Sequence, residues 1–468
     1  MSDVAEKPAY RSVKERAEFG KSRRAEVPRA SHAELPDARH RPDPVVLLAE
    51  QAATRVPELV PIRYGRMLSS PFAFFRGAAL VMASDLAHTP RTGLIVQACG
   101  DAHLCNFGIF GTPERHLVFD VNDFDETLPG PFEWDVKRLA ASLAVAGRGC
   151  EFSEQECRAI VMSAVETYRQ TMRGFATMRN IEVWYARLDI EAAMAQLGNQ
   201  MAEVTRVRTE AALAKARTRD SLQALNKLTK KVKGRHRIIS NPPLIMPMEE
   251  VLADVEVERV YEMTRAVIND YRRSLPAGVR RLLDQFELIQ MARKVVGVGS
   301  VGTRSWILLL EGRNSGDPLF LQAKQAEASV LERFVSPSAF DHHGERVVAG
   351  QQAMQANSDI LLGWGREQQQ FGIDLYLRQL RDWKGSIDVE HMIPSGMATY
   401  GRVCAWTLAR AHARSGDRVA IAAYLGSGRV FDQAIATFAD RYADVNHGDF
   451  AALERAVGAG TITAARGL

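Results

Sequence analysis

The sequence has little cysteine and nothing arranged to use it. Five cysteines stand at positions 99, 105, 150, 157 and 404. The number is odd and no two form a CxxC pair, so neither a disulfide framework nor a structural zinc site is expected. No apolar run reaches about 18 residues, which excludes a transmembrane helix from expectation. The opening residues, MSDVAEKPAYRSVKER, are charged and hold no apolar stretch of the kind a secretory signal needs. The expected setting is therefore the cytoplasm. Net charge is only +4, too small to argue by itself for a nucleic-acid or membrane partner. There is no internal repeat and no low-complexity segment. The composition is ordinary, with 46% apolar and 25% charged residues in a chain of 468. That is enough to bury a large core in two or three units.

Hydrophobic periodicity divides the chain into four stretches. Residues 1–45, polar and rich in Arg and Pro, read as a basic arm that lies on the surface or is partly flexible. From 46 to 290 the pattern is mostly helical, interrupted by GLIVQA (93–98) and HLVFDV (116–121), which read as strands bracketing a loop. Between 291 and 382 the pattern turns to strands: KVVGVGSVGTRSWILLLEG, a turn at RNSGD, then PLFLQAK, with FGIDLYLRQL later. A helix is expected over HHGERVVAGQQAMQ. From 383 to 468 the pattern is helical again. Within the first helical stretch, 205–237 carries eleven Lys or Arg against two acids. The plain reading is a solvated helix followed by a basic loop. The sharper one is a patch for an anionic substrate or nucleic acid, but no aromatic or zinc-finger pattern supports nucleic-acid binding.

Two constellations carry chemistry. The first is Gly100-Asp101-Ala102-His103-Leu104-Cys105-Asn106, followed by Asn122-Asp123-Phe124-Asp125-Glu126 at the end of an apolar strand. Phosphoryl transfer from ATP needs one carboxylate to accept the proton of the attacking hydroxyl. It also needs an amide oxygen and a second carboxylate to hold Mg²⁺, a hard cation that keeps several waters and so needs few protein ligands. The structural alternative makes these Asp residues turn or cap residues. A rival chemistry makes Asp101 and His103 a D-x-H metal pair of a hydrolase, which would need further His or Asp ligands. The triplet His447-Gly448-Asp449 repeats part of the motif but lacks an Asn five residues on, and reads as a loop or helix cap.

The second constellation is Gly297-Val298-Gly299-Ser300-Val301-Gly302, a GxGxxG. Glycines there let the backbone approach phosphates. A dinucleotide site requires a helix directly after the glycines. TRSWILLLEG follows instead and reads as a strand. Lys324 ends the next apolar run, 27 residues after Gly297. A strand–glycine loop–strand hairpin with a lysine on the following strand is the kinase arrangement; a surface lysine at a strand end is the alternative. For the glutamate that should pair with this lysine, Glu327, Glu332 and Glu345 are candidates. Arg63, Arg66 and Arg76 ahead of the first constellation, and Arg378, Arg381 and Lys384 after the last strand, suit phosphate binding or structural ion pairs equally. His412 and Trp406 read as core or surface residues.

Gly-Asp-x-His-x-x-Asn followed by a strand ending in Asp-Phe-Asp resembles the aminoglycoside and choline kinase branch of the protein-kinase-like superfamily. The resemblance implies Asp101 as catalytic base, His103 as the residue that orients its loop, and Asn106 and Asp123 as metal ligands, assisted by Asp125 or Glu126. It implies Gly297, Gly299, Ser300, Gly302 and Lys324 around the phosphates of ATP. Asp135, in PGPFEWDVKRLAAS, matches an Asp that opens a helix and supports the catalytic loop. Cys99 departs from the pattern, where His usually precedes Gly-Asp. The expected fold is α+β, two-lobed and kinase-like, with a helix-rich large lobe and a small antiparallel β lobe at 291–382. The glycine hairpin follows the catalytic loop by nearly two hundred residues, so that fold would be circularly permuted, with 383–468 packing back on the large lobe. RPDPVVLL, LVPIRYGRMLSSPFAFFRG, GDAHLCNFG, NDFDETLPGPFEWDVKRLAAS, KVVGVGSVGTR and YLRQLRDWKGS are similar to a bacterial family known as domain of unknown function 2252. The expected activity is an ATP-dependent phosphotransferase acting on a hydroxyl of an unidentified acceptor. A non-catalytic nucleotide-binding regulatory module and an AMP transferase are the alternatives, and the helical region 150–290 is the expected source of specificity.

Overall fold

The computed structural model describes residues 11–192, 213–252 and 256–467, with Ala38, His40, Gln370, Arg381, Asp382, Lys384 and Ser386 excepted. The expectations on 205–212, Arg381 and Lys384 lie outside the described residues. The fold is mixed, with helices outweighing several antiparallel sheets.

The largest sheet grows from the apolar runs recognised above. Ser305–Glu311 and Pro318–Ala326 pair antiparallel across the RNSGD turn, with Ser305 opposite Lys324. Alternation decides which side chain meets which layer. Trp306, Leu308 and Leu310 face the helix Val257–Ser274, which presents Val260, Val267 and Tyr271. Ile307 and Leu309 face the opposite way, toward Ala224, Leu225 and Leu228 of the helix Ser221–Leu228. The six strands run Gly363–Glu367, Ile373–Gln379, Pro318–Ala326, Ser305–Glu311, Glu287–Lys294 and Ile245–Pro247 in spatial order. The sheet thus takes in strands ahead of residue 291. Ile245–Pro247 is three residues long and ends in proline, too short to show as a periodic run.

The helical body draws on both sides of the sheet in sequence. Phe132–Gly149 is buried nearly all round, as a central helix must be. Around it pack Glu154–Thr177, Pro394–Ser415, Arg418–Leu425 and Val430–Gly458. Two small antiparallel sheets accompany it. Ile95–Ala98 pairs with Leu128–Pro131, and Phe107–Gly111 pairs with Leu117–Val121.

Three local readings change. Within the N-terminal arm, Val13–Glu26 is a helix opened by a Ser12/Glu15 capping box and docked through Arg16 on Asp417. Further on, Arg41 enters the body and bonds Asp85 at 2.7 Å and Asp449 at 2.6 Å. Arginine here serves anchorage rather than solvation. Within the basic segment, Ser221–Leu228 buries an apolar face, and Thr229–Val232 then pairs with Arg235–Ile238 through a turn at Lys233-Gly234. Both turn residues have positive φ, the geometry that matches the twist of a tight hairpin. His447-Gly448-Asp449 lies inside the helix Val430–Gly458. No described helix is long and apolar enough to cross a membrane.

Removing Arg41 leaves two buried carboxylates without their cation. Arg41→Met is expected to lower unfolding free energy by about 3 kcal/mol, read from the denaturant midpoint. A midpoint equal to that of the wild type would show that this cluster carries no stability.

Candidate active site

The loop at 99–106 is shaped by one buried carboxylate. Asp135, in the first turn of Phe132–Gly149, accepts the N–H groups of Cys99 at 2.6 Å and Gly100 at 3.0 Å. His412 Nε2 lies 3.1 Å from the same carboxylate, and its Nδ1 is 2.8 Å from the Tyr168 hydroxyl. Asp135 therefore supports the loop, as the resemblance implied, and His412 is a core residue that braces it. Gly100 has φ +80, and a Cβ there would come within 2.3 Å of the Glu126 carbonyl oxygen, so no larger residue fits this turn.

Past that turn, Asp101 meets Arg138. The guanidinium reaches Oδ1 from Nε at 2.8 Å and from Nη2 at 2.7 Å. The remaining oxygen, Oδ2, is 3.6 Å from His103 Nε2. His103 Nδ1 accepts from the Cys105 N–H at 3.2 Å and caps the turn Leu104–Asn106. Burial drives its pKa down to about 3, so it orients the loop as a neutral ring. Asn106 Nδ2 donates to the Asp101 carbonyl at 2.6 Å, which turns its Oδ1 the other way.

The strand Leu117–Val121 delivers the second set. Buried Phe124 anchors the loop, with Asp123 and Asp125 on either side of it. Both carboxylates meet Lys324, which arrives from the sheet. Its Nζ bonds Asp125 Oδ2 directly, lies 2.9 Å from Ser300 Oγ and 3.8 Å from Asp123 Oδ1. Burial pulls the lysine pKa down, but the two carboxylates more than offset that and hold it above its ordinary value. Asp125 is further bonded by the Tyr376 hydroxyl at 2.7 Å. Burial raises the Asp125 pKa, yet Lys324 and Tyr376 outweigh it and the net shift is downward. Asp123 goes the other way, raised by burial and then by the neighbouring Asp125 charge. Its Oδ1 is sealed and has no hydrogen-bond donor, while the side chain as a whole stays 32% exposed to the cavity.

These contacts revise one expectation. The partner of Lys324 is Asp125, not Glu327, Glu332 or Glu345, and Asp125 lines the cavity as well. The helix His343–Met354 contributes Arg346 instead. It donates to the carbonyls of Thr127 at 2.6 Å and of Asp125 and Glu327 at 2.7 Å each. Arg378 donates to the Asn122 carbonyl at 2.9 Å. Arg138, Tyr376 and Arg346 were not singled out from sequence. Only Arg138, three positions after Asp135 on one helix, left a local sign.

The glycine loop joins the strand Glu287–Lys294 to Ser305–Glu311 and is tied down by its carbonyls. Arg66 Nη1 donates to Gly297 at 2.6 Å, Arg55 Nη1 to Val301, and the Val56 N–H to Gly302 at 2.8 Å. Gly299 packs against the Arg76 carbonyl, where a Cβ would sit 2.9 Å away. Asp101, His103, Asn106, Asp123, Asp125, Gly297, Gly299 and Ser300 all line one cavity of about 520 Å³. Lys324 reaches it through its carboxylate partners. Gly302 is not among the lining residues and serves the loop's anchorage.

Among the described residues no group of three or more His, Cys, Asp or Glu is arranged to hold a metal, so the D-x-H hydrolase pair lacks its further ligands. A hard cation that keeps its waters asks for less. The part of the Asp123 carboxylate that is open to the cavity and the Asn106 amide oxygen are hard donors that fit it.

A family model described as uncharacterized protein conserved in bacteria, DUF2252, matches residues 55–456. The chain belongs to this family. No curated protein and no solved structure matches it. The match to DUF2252 spans every residue of the cavity named above except Glu50, Gln51 and Thr54 on its N-terminal rim.

Glu126 also lines the cavity, its Oε2 accepting the Val330 N–H at 2.7 Å. Burial lifts its pKa from the ordinary 4.5 to about 7. A folded-state pKa above the unfolded one favours the folded protein fully below 4.5 and loses that contribution as pH rises through 7. In metal-free buffer, Glu126→Gln is expected to flatten the decline of thermal midpoint across this window while keeping the Val330 contact. Parallel pH profiles for variant and wild type would contradict the assignment.

Proposed function

We propose that this protein is an ATP-dependent phosphotransferase that moves the γ-phosphate to a hydroxyl of an acceptor. The observation that carries the reading is the convergence on one cavity of Asp101, Asn106 and Asp123 with the glycine loop and Lys324, which lies 199 residues from Asp125 in sequence. In this reading the six-stranded sheet with its glycine loop, lysine strand and following helix is the small lobe of a kinase-like fold. The helices before and after it form the large lobe. The order of parts makes the fold circularly permuted, which a fold tolerates at exposed loops.

Each residue then has a task. Asp101 accepts the acceptor's proton on Oδ2, because Arg138 occupies Oδ1 and holds the carboxylate in place. His103 and Asp135 fix the loop that presents it. Asn106 and Asp123 would hold Mg²⁺, which supplies positive charge against the phosphates when bound. Ser300 and the glycine loop cover the phosphates, with carbonyls tied back to Arg55, Arg66 and Val56 and the backbone N–H groups of Val298, Gly299 and Ser300 left for the ligand. Lys324 stays charged beside them. Its partner Asp125 performs the task an Asp or Glu has in orienting such a lysine.

Asp101→Asn is expected to retain ATP binding and to lose turnover by about 10²-fold or more. The measurement is release of ADP, with mass spectrometry of any modified acceptor to separate added phosphate from added AMP. Wild-type turnover in Asp101→Asn would remove the assigned role.

A further inference from the structure

Three arginines line the cavity, and two are committed. Arg55 donates to the Val301 carbonyl, and Arg333 to Glu50 at 2.9 Å. Two more stand outside the lining and are engaged too, Arg63 on Gln51 and the Gly77 carbonyl, and Arg138 on Asp101. Arg76 has no acceptor among the described residues, and its Nε is sealed from solvent without one. It stands near the end of the helix Pro71–Gly77, with its own carbonyl against Gly299. It lines the cavity together with Asp101, His103 and Asn106, which puts it on the same side as the turn that carries Asp101. Seven carboxylates line the same cavity, yet none forms an ion pair with it. A planar cation left unpaired among so many anions is positioned for negative charge that the protein does not itself supply.

We propose that Arg76 contacts the transferred phosphoryl group and stabilises the charge that develops on it. The proposal rests on the phosphotransferase reading. In the step, the bond from the γ-phosphorus to the bridging oxygen of the departing ADP breaks and a bond to the acceptor oxygen forms. The acceptor's proton passes to Asp101, and negative charge spreads over the three equatorial oxygens of the phosphoryl group. Lys324 comes to those oxygens from the sheet, and Arg76 from the helical body. Because the guanidinium presents several donors in one plane, it serves a trigonal phosphoryl group better than an ammonium does.

The test compares thermal midpoints with Mg²⁺-ADP and with Mg²⁺-ADP plus aluminium fluoride, a mimic of the phosphoryl group in transfer that binds more tightly than ground-state ligands. In the wild type, fluoride is expected to add to the ADP shift. Arg76→Ala should keep the ADP shift and lose the added increment, Arg76→Lys should keep part of it, and ATP hydrolysis by Arg76→Ala should fall on the order of 10³-fold. Arg76→Gln replaces the alanine variant should that one not fold. An undiminished increment in the variants would overturn the proposal. So would loss of the ADP shift in a folded variant, which would make Arg76 a ground-state nucleotide contact, or an ADP shift without any fluoride increment in the wild type. A wild type that shows no ADP shift removes the phosphotransferase reading itself, and the role of Arg76 with it.

Discussion

One buried ion cluster joins the two halves of this molecule. Lys324 stands at the end of a sheet strand, and Asp125 and Asp123 stand on the loop after a hairpin far earlier in the chain. Alone, a lysine so buried would give up its proton; beside two carboxylates it keeps it. Removing either side would leave an uncompensated charge in the interior. The sheet is thereby tied to the helical body through the segment 122–127. Arg378, Tyr376 and Arg346, all from the sheet and its helix, bond the same segment. Asp123 and Asp125 both take part in this junction and both line the cavity.

A second constraint acts from the opposite side. Arg55 and Arg66, with the Val56 N–H, take the carbonyls of the glycine loop. Within the loop the Val301 and Thr303 N–H groups bond the Val298 and Ser300 carbonyls at 3.2 Å each, and no backbone acceptor among the described residues takes those of Val298, Gly299 and Ser300. Here the N-terminal helices shape the roof of the cavity, a task that composition alone assigned to no part of the chain. The loop under Asp101 is fixed in the same manner, by a carboxylate that accepts successive N–H groups ahead of it.

Much of this could be read in the sequence where the signal is local. GDAHLCN and NDFDE carry their meaning in spacing, and each lies beside an apolar run that becomes a strand. The lysine strand and glycine hairpin are equally local, and TRSWILLLEG excluded a dinucleotide helix by its own residues. What escaped was long-range or masked by charge. Tyr376 lies opposite Lys324 in register, and no spacing in the sequence announces that. The partner of the lysine was sought among glutamates nearby in sequence, while the aspartate that holds it was already assigned to a metal. The arm at 1–45 read as a surface segment because arginine dominates it, although Arg16, Arg23, Arg24, Arg29 and Arg41 bond carboxylates and carbonyls of the body. The hairpin at 229–238 hid its alternation under lysine and arginine.

The most direct test of the central claim is the thermal midpoint of the wild type and of Asp123→Ala, each with and without Mg²⁺-ATP. A ligand that binds only the folded state raises the midpoint. The account predicts a rise in the wild type that disappears in Asp123→Ala while the unliganded variant still unfolds cooperatively. No rise at millimolar ATP in the wild type, or an equal rise in both proteins, would contradict it.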